Sequence, residues 1–222
     1  MVQNPWRIIT VILLASVLYG CTTTGASTKK IKTSFERGAV ILQENFSTPT
    51  SGWERSGDAD YKDGKFVMLA FDAKTLIWAL SRKPDLTNIH VEVTAQNTRR
   101  VEDASFGILC NYRNENNFYL LGAGSDGSYA IIKFENNRPV YLTSQQAEWP
   151  KSVKIALQAS TYRLGVDCGF GILTLYVDGI SIASVKDSSL VKGDVGLFTM
   201  SNEKPQAEVS FDDLIITSLQ EK

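Results

Sequence analysis

Residues 173–177 (LTLYV) and 180–185 (ISIASV), joined by Asp178-Gly179, are the stretch that decides the fold class. Both segments are short and rich in the β-branched, aliphatic and aromatic side chains that favour strands. The Asp-Gly pair tolerates the positive φ angles that a two-residue hairpin turn requires. The stretch therefore predicts two antiparallel strands joined by a tight turn.

The same arrangement recurs on the N-terminal side of this hairpin. Asp63-Gly64 precedes KFVML, Asp126-Gly127 separates FYLLGAG from SYAIIKF, and Asn136-Asn137 leads into PVYL. Turn pairs at such intervals between apolar segments are typical of consecutive antiparallel hairpins. We therefore expect an all-β domain.

Alternation of apolar and polar side chains supports this prediction. Residues 89–96 (IHVEVTAQ) are apolar at odd positions and polar at even ones, which places the two sets on opposite faces of a sheet. The apolar positions change parity at Asp212-Asp213, which predicts a bulge or a strand bend. The best helix candidate, residues 145–154, is short and contains Pro150. Two further sets are each expected to share one strand face: Phe106, Ile108, Cys110 and Tyr112, and Tyr162, Leu164, Val166 and Cys168.

Composition excludes some classes of function. The 222-residue sequence carries 23 basic and 24 acidic side chains, so no basic field indicates a nucleic-acid partner. Hydrophobic residues make up 43% of the sequence, which is enough for a substantial core. Beyond the N-terminal segment, roughly 185 residues remain, a length that suits a single β-sandwich or barrel.

The N-terminal residues are typical of an export signal. Residues 8–18 (IITVILLASVL) form an uncharged apolar run after Arg7, too short for the about 20 residues of a spanning helix. Leu18-Tyr19-Gly20-Cys21 resembles the lipobox of bacterial lipoproteins, although Tyr19 is bulkier than usual. The resemblance implies that residues 1–20 are a signal peptide and that Cys21 is lipidated. The alternatives are an ordinary cleavage site or a buried core cysteine.

The lipobox resemblance also carries an expectation about location. A multiply acylated Cys21 would hold the domain stably at a membrane, outside the cytoplasm. Thr22 stands where the sorting pattern of Gram-negative lipoproteins places Asp for inner-membrane retention, so the outer membrane is expected if the cell has two membranes. Residues 21–36 are polar and are predicted to form a flexible tether. Residues 37–222 are predicted to form the folded domain. The tether lysines at 29, 30 and 32 either bind anionic headgroups or simply solvate the linker.

Two cysteines remain in the predicted exported domain. Cys110 and Cys168 both fall on the apolar face of a predicted strand, and an oxidising compartment permits a disulfide between them. Such a bond would stabilise the domain by roughly 4 kcal/mol. The alternative is two separate buried thiols.

A series of landmarks resembles the concanavalin A-like lectin/glucanase superfamily, in particular the laminin-G-like or family-16-like domains of bacterial surface lipoproteins. The resemblance covers residues 40–218 and implies a jelly-roll sandwich of two curved antiparallel sheets. Many relatives have paired cysteines at positions like Cys110 and Cys168. The landmarks, in chain order, are ENFS (44–47), SGW (51–53), GILCNYR (107–113), NNFY (116–119), SDGSY (125–129), LTLYVDG (173–179), GDVGLF (193–198) and FDDL (211–214).

The sequence does not carry the catalytic pattern of retaining glucanases in this superfamily. Their Glu-x-Asp-x-x-Glu motif supplies two carboxyl groups on one strand face, and no glutamate here begins such a motif. The 3-keto-disaccharide hydrolase-like branch is similar in fold, but no active site can be matched to it. His90 is expected to lie exposed on a polar strand face near Glu92. We therefore expect a binding protein rather than an enzyme.

The resemblance implies that a ligand would be carbohydrate or another envelope polymer, held by aromatic faces beside planar polar groups. Trp149 is expected to be the exposed tryptophan, although it could equally cover the core beneath its loop. The alternative function is a protein-interaction or structural role in the envelope. The further candidate ligand-binding residues are Tyr61, Tyr141, Arg113, Asn114 and Asn116.

Calcium is the one metal that the resemblance suggests as a ligand of the domain. Asp58, Asp60 and Asp63 could supply oxygen ligands, but they lack the spacing of an EF-hand and turn chemistry explains them equally well. No cofactor is otherwise expected.

Overall fold

A computed structural model describes residues 35–221, and every regular element in this range is a β-strand. The prediction of an all-β domain is confirmed, and residues 145–154 form turns and bends rather than a helix. The predicted signal peptide, Cys21 and most of the tether lie outside the described residues. The strands are β1 (Phe35–Glu44), β2 (Ala59–Lys62), β3 (Lys65–Ala70), β4 (Thr75–Leu80), β5 (Ile89–Asn97), β6 (Ser105–Asn114), β7 (Asn117–Gly124), β8 (Tyr129–Glu135), β9 (Arg138–Tyr141), β10 (Tyr162–Gly169), β11 (Ile172–Val177), β12 (Ile180–Lys186), β13 (Asp194–Ser201) and β14 (Ala207–Glu221).

The strands form two antiparallel sheets. The larger sheet has the order β12-β11-β10-β5-β14-β3-β2, with β1 also paired to the C-terminal half of β14. The smaller sheet has the order β4-β13-β6-β7-β8-β9. Some strands that are neighbours in a sheet, such as β5 and β14, are far apart in sequence. The sheets are therefore assembled by long-range pairing as well as by hairpins. The predicted two-sheet sandwich is confirmed.

The hairpin turns lie where the sequence placed them. Asp63-Gly64 has φ angles of 52° and 75°, and Asp178-Gly179 has 51° and 77°. In both cases the flanking strand residues pair directly across the turn. Two successive positive φ angles are the mark of a type I′ turn, which matches the right-handed twist of the strands. Asn136-Asn137 makes the same turn between β8 and β9.

The main core lies between the two sheets. Val91 and Leu164 of the larger sheet pack with Leu121 and Ile131 of the smaller one, and all four side chains are buried. The set Tyr162, Leu164, Val166 and Cys168 shares this inner face, as predicted. Alternating strand positions therefore meet as the two inner faces of a sandwich.

Two irregularities change the direction of side chains. At Asp212-Asp213 the register of β14 against β5 shifts, and Asp213 has a φ of 50°, which confirms the predicted bulge. The second irregularity was not predicted. Asn111 has a φ of 50° and the register of β6 breaks beside it, so Tyr112 points away from the main core. The expectation that Tyr112 shares a face with Phe106 is wrong for this reason.

A disulfide joins the sheets across the core. Cys110 of β6 is bonded to Cys168 of β10, with the two Cα atoms 6.5 Å apart. Both residues are fully buried. The predicted pairing is confirmed, and the alternative of two separate thiols is wrong.

His90 is not exposed. It is 2% accessible, because neighbouring strands of the larger sheet surround its ring with polar side chains. Its Nδ1 lies 2.6 Å from an Asp167 carboxylate oxygen and its Nε2 lies 3.0 Å from Glu92. The Tyr176 hydroxyl donates a hydrogen bond to the other Asp167 oxygen at 2.7 Å. The expectation of a surface histidine is corrected to a histidine whose two ring nitrogens are both occupied.

The Asp187 carboxylate, elsewhere in the domain, has a perturbed pKa. The side chain of Asp187 is 12% exposed, and burial alone would raise its pKa. Asp187 accepts hydrogen bonds from the Tyr119 hydroxyl at 2.5 Å and the Ser189 backbone N–H at 2.9 Å, and Lys133 lies 3.3 Å away; only in combination do these contacts outweigh burial. Together they lower the pKa of Asp187 to about 2.

Acid should therefore weaken the fold partly through Asp187. Because its folded-state pKa lies below the ordinary value of 3.8, its stabilisation is present above pH 4 and is lost as the pH falls toward 2. We expect the free energy of unfolding to fall by about 1–2 kcal/mol more in the wild type than in Asp187→Asn over this range. Urea denaturation at pH 5, 4, 3 and 2 measures the two slopes. Parallel pH profiles for both proteins would contradict the assignment.

Candidate binding groove

The outer face of the smaller sheet is apolar, as its inner face is. Leu109 of β6, Phe118 and Leu120 of β7, and Phe198 of β13 point outward yet are at most 2% exposed. They form a second hydrophobic cluster that does not belong to the main core. An outward face this apolar is unusual for a sheet exposed to water, which makes it the first place to look for a binding site.

Two glycines allow the Phe198 ring to lie flat against the smaller sheet. A Cβ added to Gly107 would lie 2.5 Å from the Phe198 ring, and one added to Gly122 would lie 2.4 Å from it. Gly107 and Gly122 are paired neighbours on β6 and β7, and Phe198 pairs with Gly107 from β13. The Phe198 ring therefore lies flat over these two glycines. A side chain at either glycine position would push the ring away from the sheet.

Aromatic rings continue along this face. Phe118 and Phe134 stack with centroids 4.4 Å apart and an interplanar angle of 14°. Tyr112 and Trp78 approach Phe118 at 5.5 Å and 5.9 Å. Burial raises the pKa of the Tyr112 hydroxyl above its ordinary value of 10.0. The row supplies flat apolar surfaces with a polar atom at each Trp and Tyr edge.

A cavity of about 320 Å³ opens beside this row, and we call it the groove; Tyr141 and Trp149, both predicted from the sequence, line it. Tyr141 is the last residue of β9, and Trp149 lies in the loop that follows. Tyr129 donates its backbone N–H to Pro150 O at 2.9 Å, and Ser128 pairs with Lys151, so the loop is fixed to the start of β8. Both aromatic side chains are half-buried against the second cluster, so the expectation that Trp149 is exposed is wrong, and it covers this outer cluster rather than the main core.

The rim of the groove is polar. Lys74 and Glu203 form an ion pair at 3.2 Å. The Asn202 side-chain amide donates to the Asp103 backbone carbonyl and, at 2.9 Å, to Ser105 Oγ. Among the described residues that line the groove, Glu203 is the one carboxylate. The arrangement offers stacking surfaces and hydrogen-bonding groups but no carboxylate pair.

The structure brings together Trp149 and Tyr141 but not the other candidates. The Tyr61 ring packs on Phe46 and Phe66 at the edge of the larger sheet. Its hydroxyl is hydrogen-bonded to Ser51 Oγ at 2.7 Å and accepts a hydrogen bond from the Trp53 backbone N–H at 3.2 Å. Tyr61 therefore serves the core, because its hairpin belongs to the sheet that does not carry the groove.

Arg113, Asn114 and Asn116 lie at the β6–β7 turn and are not among the groove residues. Asn114 Oδ1 accepts hydrogen bonds from the Asn116 backbone N–H and from Asn117 Nδ2, both at 3.0 Å. These bonds close the turn, and they account for the asparagines without a ligand.

The acidic residues considered for calcium do not converge in the described part of the chain. Asp60 is paired with Arg55 at 2.5 Å, while Asp63 occupies a positive-φ turn position. Among residues 35–221, no group of three or more His, Cys, Asp or Glu side chains is placed to hold a metal ion. Over the same range, no helix has the length and apolar character needed to cross a membrane.

Sequence reasoning missed most of the groove. Trp78, Phe134 and Met200 line or border it, with Lys74 and Asn202 at the rim. One signal was present: FYLLGAG and AIIKF are apolar at both odd and even positions, unlike residues 89–96. Strands apolar on both faces predict cover or a ligand on the second face.

Similar proteins were found by comparing structures but not by comparing sequences. No protein-family model matches the sequence, and a search of curated proteins found no match. A protein of unknown function with a galectin-like fold from Bacillus subtilis superposes with a TM-score of 0.62 at 12% identity, covering 85% of this chain and 100% of that one.

Two further solved structures are similar over nearly the whole domain. The carbohydrate-binding module CBM66 from Bacillus subtilis has a TM-score of 0.55 at 15% identity, covering 77% of this chain and 96% of that one. The κ-carrageenase from Pseudoalteromonas carrageenovora, solved with an oligotetrasaccharide, has a TM-score of 0.55 at 10% identity, covering 88% and 100%. At these identities the likeness concerns the fold, and it bears out the resemblance inferred from the sequence: the domain is a concanavalin A-like, galectin-like jelly roll.

Proposed function

We propose that this protein is a lipid-anchored, extracytoplasmic binding module that holds a carbohydrate or related envelope polymer in the groove of its smaller sheet. The observation that carries the proposal is the placement of Trp149 and Tyr141 beside one cavity, over an apolar floor and next to a polar rim. Sugars present apolar C–H faces that stack on aromatic rings and hydroxyls that bond to planar polar groups. The groove offers both kinds of contact.

The structural neighbours support this class of ligand. One is a carbohydrate-binding module and another was solved with an oligosaccharide, and both share this fold. A fold hosts many functions, so the weight of the proposal rests on the groove residues rather than on the likeness.

The groove favours binding over hydrolysis. A retaining glycosidase requires two carboxyl groups about 5–5.5 Å apart, and an inverting one about 6.5–9.5 Å. Of the described residues that line the groove, Glu203 alone carries a carboxylate, and it is paired with Lys74 at the rim. Strand β6, in the centre of the smaller sheet, presents Gly107 and Leu109 on the same outer face instead of acids.

The anchoring part of the proposal rests on Leu18-Tyr19-Gly20-Cys21 and the apolar run before it. Acylation of Cys21 would hold the domain at a membrane surface, and Thr22 favours the outer membrane of a two-membrane cell. A polymer-binding domain at that surface would attach the membrane to a glycan layer.

Binding of the full-length protein to a panel of polysaccharides tests the function. We expect at least one polysaccharide to be retained, and Trp149→Ala to weaken its binding about tenfold or more because a stacking face is lost. The matched control is Phe71→Ala, which removes an aromatic ring that is 55% exposed and is not among the groove residues. Equal binding by wild type and a folded Trp149→Ala, or no binding to any polysaccharide, would contradict the proposal and direct attention to envelope proteins.

A further inference from the structure

The turn between β10 and β11 carries an aromatic residue at a position that disfavours one. Phe170-Gly171 has φ angles of 52° and 69°, which makes it a type I′ turn like Asp63-Gly64 and Asp178-Gly179. A left-handed first position favours Asn, Asp or Gly, and a bulky aromatic residue there is strained. Phe170 is also 38% exposed, so core packing does not account for it. Local rules broken in this way mark functional positions.

Phe170 is part of a larger apolar surface. Its ring stacks on Phe35 with centroids 5.2 Å apart and planes 26° from parallel. Val191, 56% exposed, lies with Phe170 on the wall of a cavity of about 360 Å³. We name Phe35, Phe170 and Val191 the apolar tip. The tip combines two aromatic rings and an exposed aliphatic side chain at one end of the sandwich.

The chain enters the described domain at this tip. Phe35 is the first described residue, and the 13 residues from Thr22 to Ser34 separate it from Cys21. Thirteen residues reach about 45 Å at most when fully extended. A lipid on Cys21 would therefore keep the apolar tip close to the bilayer at all times.

We propose that the apolar tip docks on the lipid bilayer surface and fixes the orientation of the domain, a proposal that rests on the proposed acylation of Cys21. Aromatic side chains partition to the boundary between headgroups and acyl chains. Lys186 and Lys192 flank the tip and can meet anionic headgroups, with Lys192 also paired to Asp85. Tethering makes the contact intramolecular, so a small apolar area is sufficient.

Docking through the tip would present the groove outward. Strand β13 begins at Asp194, next to the loop that carries Val191, and ends at Ser201 in the groove lining. Its eight residues span about 26 Å. The Trp149 end of the groove lies near the far end of this strand, since Trp149 and Met200 line the same cavity.

The opposite end of the sandwich provides the competing surface. Val153 and Leu157 are 105% and 70% exposed, and Lys154 between them bonds to Ser181 O beside the β11–β12 turn. That turn lies at the other end of β11 from Phe170. A membrane contact driven by exposed aliphatic residues alone would therefore use this end.

A nitroxide label compares the two ends on the full-length, acylated protein. Val191→Cys and Val153→Cys each add the one reactive thiol, because Cys21 would be acylated and Cys110 and Cys168 are disulfide-bonded. On vesicles of phosphatidylethanolamine and phosphatidylglycerol, we expect collisions of the Val191 label with a water-soluble nickel complex to fall about threefold or more. The Val153 label should keep its value in solution.

A second substitution keeps the test independent of folding. Phe170→Asn fits the type I′ turn better than phenylalanine, so the domain should remain folded while the tip loses its central ring. We expect it to restore nickel access to the Val191 label. Protein that floats with vesicles while the Val191 label stays fully accessible, or while the Val153 label is the one protected, would overturn the docking proposal alone. A Cys21 without acyl chains by mass spectrometry would overturn both docking and anchoring.

Discussion

The double variant Cys110→Ala/Cys168→Ala is expected to unfold with a free energy about 4 kcal/mol lower than the wild type. The bond closes a loop of 58 residues and joins the two sheets through the centre of the core. In the chain-entropy account, the crosslink restricts the unfolded chain, so removing it stabilises the unfolded state. A loss of this size is comparable with much of the stability of an ordinary domain, and the variant should be partly unfolded at 37 °C.

Urea denaturation of the variant and of the reduced wild type separates the crosslink from the packing of the sulfur atoms. Reduction removes the bond without deleting atoms, whereas alanine also leaves a small cavity at each site. We expect the two proteins to lose similar free energy, with a slightly larger loss for the alanine variant. A loss below about 1 kcal/mol in both would show that the bond does not restrict the unfolded chain.

Gly107→Ala is expected to destabilise the domain by about 3 kcal/mol and to deform the groove. The new Cβ would lie 2.2 Å from Leu121 O and 2.6 Å from Gly122 Cα, which are backbone atoms of the neighbouring strand and cannot rotate away. It would also lie 2.5 Å from the Phe198 ring, whose displacement would disturb the groove floor. Thermal unfolding measures the first effect, and polysaccharide binding below the melting temperature measures the second.

Gly57→Ala is the matched control for this substitution. A Cβ at Gly57 would meet nothing within 4 Å, and the residue does not occupy a left-handed conformation. We expect its stability to lie within about 0.5 kcal/mol of the wild type. If Gly107→Ala were equally mild, the close approach of β6 and β7 beneath Phe198 would be wrong.

The fold was largely predictable because it rests on local signals. Asp63-Gly64 and Asp178-Gly179 form the turns that their chemistry requires, and residues 89–96 alternate as a strand with one buried face. The break at Asn111 was not predicted, because one asparagine, although it tolerates a positive φ angle, does not interrupt the alternation of Phe106, Ile108, Cys110 and Tyr112. A single left-handed residue there turned Tyr112 from the core to the groove.

The candidate site was predictable only in part, for a physical reason. Trp149 and Tyr141 could be singled out because they lie near predicted turns, yet Trp78 and Met200 come from β4 and β13, which are distant from them in sequence. Their meeting depends on which strands are neighbours in the smaller sheet, and long-range pairing leaves no local signature. Tyr61 had the same sequence features as Tyr141 but belongs to the other sheet.

The burial of His90 could not be predicted for the same reason: it depends on strands that are distant in sequence. Its even position in an alternating strand correctly placed it on the outer face of the larger sheet, and exposure was the natural expectation. Asp167 from β10 and Tyr176 from β11 fill the space around it, and neither can be paired with residue 90 from the sequence. Alternation predicts the face of a sheet, whereas burial on that face depends on the neighbouring strands.

The pairing of β1 with β14 also determines how the domain would bear mechanical load. The two strands are antiparallel, with Phe35 opposite Glu221 at one end and Glu44 opposite Leu214 at the other. A lipid pulling on the chain before Phe35, against a polymer held in the groove, would draw β1 along its own length. Backbone hydrogen bonds lie perpendicular to antiparallel strands, so such a force shears them together instead of opening them one after another. If Cys21 is acylated as proposed, the start of the domain would thus be loaded in its stronger direction.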